Sequence, residues 1–311
     1  MIRIATRKSP LARWQANHVA ALLREREPGL EVRLHEVVTK GDKILDVALA
    51  RVGGKGLFVK EIEDALLAGE AEVAVHSMKD LPGVLAGGLA VGAVPVREDP
   101  RDALCSPRYR TLAALPRGAR VGTSSLRRSA QLRALRPDLR IEMVRGNVET
   151  RLRKASAELD AVVLAYAGLR RLGLAGQATQ IFDPSEMLPA VAQGALALEA
   201  RADDAATLAR LAALEDPEAR LRVEAERSFL RRLEGGCQVP IAAHATVGAG
   251  RVELRGLVAS LDGARVVRGE RGGPAGEAGA LGTALAEELL ARGAAEILEE
   301  LEGLAHPAGV G

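Results

Sequence analysis

The sequence is poor in aromatic residues, cysteines and long apolar runs, and each shortage excludes a class of protein. Aromatic side chains make up 2% of the 311 residues and the formal net charge is +2, whereas a nucleic-acid-binding chain needs a basic stripe with interleaved aromatics. Two cysteines, Cys105 and Cys237, are too few for a secreted disulfide framework. No apolar run is long enough to span a membrane, and the N-terminus has no apolar signal core. We therefore expect a cytoplasmic protein without a nucleic-acid or membrane partner.

The spacing of the apolar residues predicts two kinds of architecture in one chain. Through the first two thirds, short strands alternate with helices, which indicates mainly parallel α/β sheets. The last third reads as a helix, three strands joined by glycine-containing turns and two further helices, which is typical of an α+β unit. A chain of 311 residues has room for two or three domains.

The boundaries of the predicted elements follow from the same pattern. In the α/β part we predict strands at 2–5, 30–38, 72–75, 120–121, 141–144, 161–165 and 195–200, and helices at 11–27, 57–68, 126–135 and after Asn147. In the last third we predict a helix at 219–233, strands near 241–248, 251–260 and 264–271, and helices from Ala278 and Ala294. The glycine-bearing segment 39–56 is predicted to be a mobile flap.

One arrangement recurs three times: a strand ends, a Ser, Thr or Asn caps the next helix, and arginine stands beside the cap. A helix N-terminus offers unpaired N–H groups and partial positive charge, and arginine adds bidentate recognition of carboxylate or phosphate. A single surface arginine is more often simply solvated, but three copies beyond the carboxyl ends of strands favour a polyanionic ligand. The copies comprise Arg7 with Ser9, Arg127 and Arg128 with Thr123, Ser124 and Ser125, and Arg145 with Asn147 and Arg151.

Asp80 and Cys237 are the remaining candidates for chemistry. Asp80 stands beside Lys79 and shortly before Pro82, where it is either a salt-bridged loop acid or a carboxylate placed to stabilise a developing cation. Cys237 follows two glycines that end a helix, which leaves its sulfur either packed behind the turn or open to a bulky group. No phosphate-binding glycine loop is present, and because the histidines are scattered singly no metal site is expected.

Four segments carry a resemblance to a known family. They are HSMKDLP at 76–82, GTSSLRR at 122–128, RGNV at 145–148 and LEGGCQVP at 233–240. With these segments in this order, nearly the whole chain resembles the porphobilinogen deaminases, also called hydroxymethylbilane synthases. The resemblance implies a transferase of tetrapyrrole and heme biosynthesis that joins four porphobilinogen molecules head to tail with release of ammonia. The product is implied to leave by hydrolysis as hydroxymethylbilane.

The resemblance also implies a covalent primer and a role for each matched residue. The primer is a dipyrromethane cofactor, built from substrate and held by a thioether to Cys237. Asp80 is implied to be the catalytic carboxylate, which holds pyrrole N–H groups and assists ammonia loss through an azafulvene cation. Because each pyrrole carries an acetate and a propionate, the arginine groups are implied to bind the side chains of cofactor and substrate. The matched binding residues are Arg7, Ser9, Lys79, Thr123, Ser124, Ser125, Arg127, Arg128, Arg145, Arg151, Arg171 and Gln193, and Lys55 and Phe58 match the flap and its border.

The implied fold has two α/β domains that resemble periplasmic binding proteins and a smaller α+β C-terminal domain built on a three-stranded antiparallel sheet. The resemblance also implies a monomer. Domain 1 comprises 1–94 and 195–214 and carries Asp80 and the flap. Domain 2 comprises 99–189 and carries the arginine groups, and domain 3 comprises 217–303 and carries Cys237.

The competing interpretation is a non-catalytic two-lobed module that binds carboxylates or other anions. Such a module has the same architecture but needs neither Asp80 nor Cys237, so these two residues favour the enzyme. Cys105 and Arg13 match no site position in the family; we expect Cys105 to pack in the core and assign Arg13 no role.

Overall fold

The computed structural model describes residues 1–39, 59–233 and 239–305, and these fold as two compact units. The first unit comprises Met1–Glu98 and Gly194–Arg220, and the second comprises Asp99–Gln193 and the chain from Leu221 onwards. The chain therefore leaves the first unit after Glu98 and returns to it at Gly194. The finer division into three domains stays a prediction.

The described elements follow one another in this order. Residues up to 122 form β1 (Ile2–Thr6), α1 (Pro10–Arg26), β2 (Val32–Glu36), α2 (Lys60–Leu67), β3 (Val73–Ser77), β4 (Leu89–Ala93), β5 (Asp102–Cys105) and β6 (Arg120–Gly122). The next stretch forms α3 (Leu126–Leu135), β7 (Arg140–Glu142), α4 (Val148–Ala157), β8 (Ala161–Ala165), α5 (Tyr166–Arg171), β9 (Gln180–Ile181), β10 (Leu196–Arg201) and α6 (Ala205–Ala212). The last stretch forms α7 (Pro217–Arg232), β11 (Ile241–Gly248), β12 (Arg251–Ala259), β13 (Val266–Pro274), α8 (Ala278–Leu289) and α9 (Ala295–Ala305).

The first unit is built on a five-stranded sheet in the order β2-β1-β3-β10-β4. Strands β1, β2 and β3 are parallel, and β10 runs antiparallel to both of its neighbours. Because successive side chains of a strand point to opposite faces, Ile4 packs with Val19 of α1 on one face, and Ala5 packs with Ile62 and Leu66 of α2 on the other. Both faces of the sheet are therefore covered by helices.

The second unit contains a similar sheet in the order β7-β6-β8-β5-β9. Strands β6, β7 and β8 are parallel, and β5 is antiparallel to both β8 and β9. Leu104 packs with Leu132 of α3 on one face, and Cys105 packs with Leu164 and Leu169 on the other. This sheet is also buried on both sides.

The reversed strand in each sheet has a positional consequence. In an antiparallel pair, the first residue of one strand lies beside the last residue of the other. Asp102 at the start of β5 is thus paired with Ala165 at the end of β8, and Leu196 at the start of β10 is paired with Ser77 at the end of β3. Each reversed strand therefore begins at the edge where its parallel neighbours end, which is the edge where α/β sheets bind ligands.

The second unit also contains the three-stranded antiparallel sheet β11-β12-β13. Strands β11 and β12 are joined by a tight turn, since Gly248 pairs with Arg251, and β12 and β13 are joined by the loop 260–265, since Ala259 pairs with Val266. Part of one face packs on the α/β sheet's helix α3, where Ala130 joins an apolar cluster that includes residues of β11 and β12. The position of α3 is therefore coupled to this sheet.

The predicted fold class is confirmed: two mainly parallel α/β sheets are followed by an antiparallel sheet with helices. Helix α3 and strand β8 have the predicted bounds. Strands β4, β5 and β9 were not predicted, because two to five residues between turn-rich segments carry too little periodicity.

Most of the predicted flap lies outside the described residues. Within the described ranges, no helix is both long and apolar enough to cross a membrane.

Candidate active site

Asp80 ends a short 3₁₀ turn that continues directly from β3 in the first unit. The turn is held by its main chain, since the N–H of Met78 donates to the carbonyl of Ala195 at 3.0 Å and the N–H of Leu81 donates to the carbonyl of Met78 at 3.2 Å. Just before the turn, the Ser77 hydroxyl accepts a hydrogen bond from Gln15 at 2.8 Å. The side chain of Asp80 is exposed on this fixed turn, so its carboxylate can meet a ligand without rearrangement of the strand.

The other predicted residues of the first unit lie at the same edge of its sheet. Strands β1 and β3 are parallel neighbours, so Arg7 after β1 and Lys79 after β3 follow adjacent strand ends. Both side chains are half-buried. Ser9 caps α1 as predicted: its hydroxyl accepts the N–H of Ala12 at 3.3 Å, and Pro10 occupies the first helical position.

In the second unit, residues 123–125 cap α3 after β6. The Thr123 hydroxyl accepts the N–H of Ser125 at 3.2 Å, and the Ser125 hydroxyl accepts the N–H of Arg128 at 3.4 Å. Thr123 is buried, whereas Ser124 is exposed. The capping prediction is confirmed for Ser125, and Ser124 is the member of the group that faces solvent.

Arg127 and Arg128 are buried and share one carboxylate. Arg127 Nη1 donates to Asp102 Oδ2 at 2.7 Å, and Arg128 donates to Asp102 Oδ1 from Nε at 3.0 Å and from Nη2 at 2.8 Å. Arg127 Nη1 also donates to the carbonyl of Leu188 at 2.8 Å, and Arg128 Nη1 donates to the carbonyl of Val163 at 3.2 Å. We call Asp102, Arg127, Arg128 and Gln193 the guanidinium cluster.

Gln193 completes the guanidinium cluster. It is fully buried, and its Nε2 donates to Asp102 Oδ1 at 2.8 Å and to the carbonyl of Pro100 at 2.7 Å. Its Oε1 accepts from Arg128 at 3.4 Å. The structure thus brings together three of the predicted binding residues around an aspartate that the sequence analysis did not name.

The electrostatics of the guanidinium cluster follow from burial and pairing. Burial alone would raise the pKa of Asp102, but the adjacent guanidinium groups of Arg127 and Arg128 hold it well below its usual range. Burial lowers the pKa of Arg127, and the charge of Asp102 opposes that effect. At neutral pH the cluster therefore contains two guanidinium cations and one carboxylate anion.

The third predicted anion site lies after β7. The Asn147 side chain caps α4 by accepting the N–H of Thr150 at 2.8 Å, and Arg151 Nε donates to the carbonyl of Gly146 at 2.8 Å. Arg145 is half-buried beside this cap. Arg171 is buried in the last turn of α5, which follows β8. The two capped arginine groups and Arg171 therefore follow the ends of the three parallel strands β6, β7 and β8.

Three predicted residues lie outside the described ranges: Lys55, Phe58 and Cys237. The other cysteine, Cys105, is buried at 2% exposure within β5, and burial raises the pKa of its thiol to about 12. A protonated, enclosed thiol is a poor nucleophile. The packing assignment of Cys105 is confirmed.

Asp102 is the main residue that sequence reasoning missed. The available signal was an aspartate directly before the apolar run 103–105, since a charge that enters a buried strand needs a partner. The sequence could not show that the partners stand at 127 and 128, because β5 is reversed in the sheet.

The donor set of the second unit fits a ligand with several carboxylates. The guanidinium cluster holds more positive than negative charge, and Arg127 Nε is a buried donor that has no hydrogen-bond acceptor within the described residues. Capped helix starts at Ser125 and Asn147 add partial positive charge at the same edge. The acetate and propionate groups of a dipyrromethane are suited to such donors.

Comparison with known families assigns the chain. The family model described as porphobilinogen deaminase, dipyrromethane cofactor binding domain, matches residues 2–209, and the model for the porphobilinogen deaminase C-terminal domain matches residues 220–291. The chain belongs to the porphobilinogen deaminase family. It is accordingly a transferase of tetrapyrrole biosynthesis with a dipyrromethane-binding domain, and the non-catalytic alternative is not favoured.

Individual porphobilinogen deaminases are similar over nearly their whole length. The protein of Maridesulfovibrio salexigens is 56% identical over 301 residues, covering 96% of this chain and 98% of that protein. The protein of Syntrophobacter fumaroxidans is 53% identical over 302 residues, covering 97% of this chain and 98% of that protein. Among solved structures, a periplasmic substrate-binding protein of an ABC transporter from Coxiella burnetii has a TM-score of 0.44 and 14% identity, covering 69% of this chain and 91% of that one.

Proposed function

We propose that this chain joins four porphobilinogen molecules head to tail on a dipyrromethane primer attached to Cys237, with Asp80 as the catalytic carboxylate. The guanidinium cluster is the observation that carries the proposal, because its excess positive charge suits a substrate in which every ring bears carboxylates. Arg7, Ser9, Lys79, Thr123, Ser124, Ser125, Arg145, Arg151 and Arg171 bind the remaining acetate and propionate groups.

Each unit has a distinct task. When bound, the dipyrromethane supplies the pyrrole on which chain growth begins. In the second unit, Arg127 and Arg128 orient carboxylates, because their guanidinium planes are fixed by Asp102 and by main-chain carbonyls. In the first unit, Asp80 accepts pyrrole N–H hydrogen bonds and stabilises positive charge that develops as ammonia leaves. Its exposed position on a braced turn supports this role.

The same proposal includes the setting in which the enzyme works. We expect a cytoplasmic monomer with porphobilinogen as substrate and no nucleic-acid or membrane partner. The low net charge of +2 supports the absence of a nucleic-acid partner.

Intact-protein mass spectrometry tests the proposed attachment. The wild-type chain should exceed its sequence mass by one dipyrromethane, and Cys237→Ser should lose that excess together with activity. Cys105→Ser is the matched control and should keep the added mass, since the Cys105 thiol is buried and protonated. An unmodified wild-type chain with full hydroxymethylbilane formation would contradict the proposal.

A further inference from the structure

Asp102 is placed in the guanidinium cluster by the reversal of one strand. It is the first residue of β5 and pairs with Ala165, the last residue of β8. Its side chain is fully buried, so its carboxylate is available to groups inside the protein and not to solvent. The two arginines belong to the first turn of α3, which begins at the same edge of the sheet.

The hydrogen bonds show that Asp102 fixes both guanidinium planes. Asp102 Oδ1 accepts from Arg128 Nε and Nη2 and from Gln193 Nε2, at 3.0, 2.8 and 2.8 Å. It also accepts a longer bond of 3.3 Å from Arg127 Nη2, while Oδ2 accepts from Arg127 Nη1 at 2.7 Å. Without this carboxylate, two cations on adjacent residues would repel one another in a buried setting.

The side chains of the guanidinium cluster carry an excess positive charge that matches a single added anion. Two guanidinium groups face one internal carboxylate, the Gln193 amide is neutral, and the nearby Cys105 thiol is protonated. One net positive charge therefore remains on these side chains. A buried Nε–H of Arg127 has no hydrogen-bond acceptor within the described part of the chain, which provides a donor for that anion.

We infer that Asp102 is a positioning residue that presets Arg127 and Arg128 and limits them to one ligand carboxylate. This inference rests on the proposed function, because it treats the two arginines as binding residues. The physical reason is charge matching: a carboxylate of charge −1 neutralises the cluster, whereas a dianion overcompensates it. Removal of the internal negative charge would change the preference toward dianions.

The test compares Asp102→Asn, Asp102→Glu and Asp160→Asn as purified holoenzymes. Asp160→Asn is the matched control, because Asp160 is another paired aspartate of the same sheet but precedes β8 at its opposite end, where it accepts from Arg108 and from the N–H of Arg120. The measurements are kcat and KM for porphobilinogen, and inhibition by inorganic sulfate at constant ionic strength. The rise in Tm on adding sulfate is recorded as well, because it needs no turnover.

For Asp102→Asn we expect KM to rise and the sulfate inhibition constant to fall, each about tenfold, as one added unit of net charge changes anion selectivity. Asp102→Glu keeps the charge but displaces the guanidinium planes, so KM should rise while sulfate inhibition stays at the wild-type level. Asp160→Asn should leave KM and the sulfate inhibition constant within about twofold of their wild-type values. A purely structural aspartate would change stability without altering the preference between sulfate and porphobilinogen.

The inference is overturned if Asp102→Asn keeps both the wild-type KM and the wild-type sulfate inhibition. If Asp102→Asn does not fold, Asp102→Glu decides, and an unchanged KM in that variant overturns the inference. Wild-type protein that forms no hydroxymethylbilane would instead contradict the proposed function. In that case the sulfate-dependent Tm values of the variants would still report on the charge of the cluster.

Discussion

The imidazole of His76 hydrogen-bonds through Nε2 to Glu199 Oε2 at 2.9 Å, and both side chains are almost completely buried. The bond joins β3 to β10 one residue before Ser77, so it holds the strand that leads into the turn of Asp80. The second oxygen of Glu199 has no hydrogen-bond partner within the described residues. The base of the Asp80 turn is therefore held by a buried hydrogen bond inside the sheet.

Glu199→Gln should destabilise the first unit markedly. The substitution removes the carboxylate that hydrogen-bonds His76 inside the sheet, and the loss of a buried hydrogen-bond partner costs about 1–3 kcal/mol. Urea unfolding followed by circular dichroism measures the loss. Asp64→Asn, which removes an exposed ion pair with Lys60, is the control and should shift the midpoint far less. Equal midpoints for the two variants would argue against a stabilising role for the buried pair.

Asp80→Asn should abolish turnover while leaving the fold intact. The side chain is exposed, so the free energy of unfolding should change by less than about 0.5 kcal/mol, whereas kcat should fall at least about 100-fold because the charge is lost. Asp203→Asn, an exposed aspartate of the same unit, should keep wild-type kcat. Near-normal turnover of Asp80→Asn would remove Asp80 from the mechanism.

Arg145→Leu should impair substrate binding, whereas Arg127→Leu should impair both substrate binding and stability. Arg145 is half-buried, so its loss should raise KM about tenfold or more, the value of one charge-assisted hydrogen bond, with little change in unfolding. Arg127 is buried against Asp102, so its loss should raise KM and also lower the free energy of unfolding by about 3 kcal/mol. Steady-state kinetics with urea unfolding separates the two effects. An equal loss of unfolding free energy in the two variants would contradict this expected difference.

Glu63→Gln should stabilise the protein at alkaline pH. Burial, followed by the charge of Glu199, raises the pKa of the Glu63 carboxyl, so the folded state favours the neutral form. The stability that this neutral form provides is present below about pH 4.3, the unfolded pKa, and is lost as pH rises through the folded pKa.

Glutamine remains neutral at all these pH values, so the urea midpoint of Glu63→Gln should match that of wild type at pH 4 and exceed it at pH 8. Glu25→Gln, an exposed glutamate on α1, is the control and should track the wild-type midpoint at both pH values. A Glu63→Gln midpoint below that of wild type at pH 8 would show that the carboxylate is the stabilising form.

Gly263→Ala should be more damaging than Gly250→Ala, although both glycines lie in hairpin turns of one sheet with φ near +74° and +73°. Alanine at either position is strained, at a cost of about 1–2 kcal/mol. A Cβ at Gly263 would additionally lie 2.4 Å from the carbonyl oxygen of Ala130 in α3, whereas one at Gly250 meets nothing within 4 Å.

Gly263→Ala should therefore displace α3 and raise KM as well as reduce stability, while Gly250→Ala should affect stability alone. Thermal unfolding and steady-state kinetics on both variants provide the comparison. A wild-type KM for Gly263→Ala would show that the turn does not set the position of the arginine-bearing helix.

Helix caps, family motifs and the placement of the arginines could be predicted from the sequence alone. Ser9 and Ser125 were predicted as caps because a short hydroxyl before a helical pattern satisfies orphan N–H groups wherever the chain folds, and the structure has both. The family was readable from four motifs for the same reason, since each is a continuous segment. The placement of arginines after β1, β6 and β7 followed from the alternation of strands and helices.

Only the tertiary structure decided which of those groups meet. Asp102 lies 25 and 26 residues from Arg127 and Arg128 along the chain, and it reaches them because β5 runs against its neighbours. Glu199 reaches His76 across 123 residues because β10 is reversed in the same way. Strand direction within a sheet is set by long-range pairing that no local pattern encodes, so the residues brought in by the reversed strands were the ones that the sequence could not place.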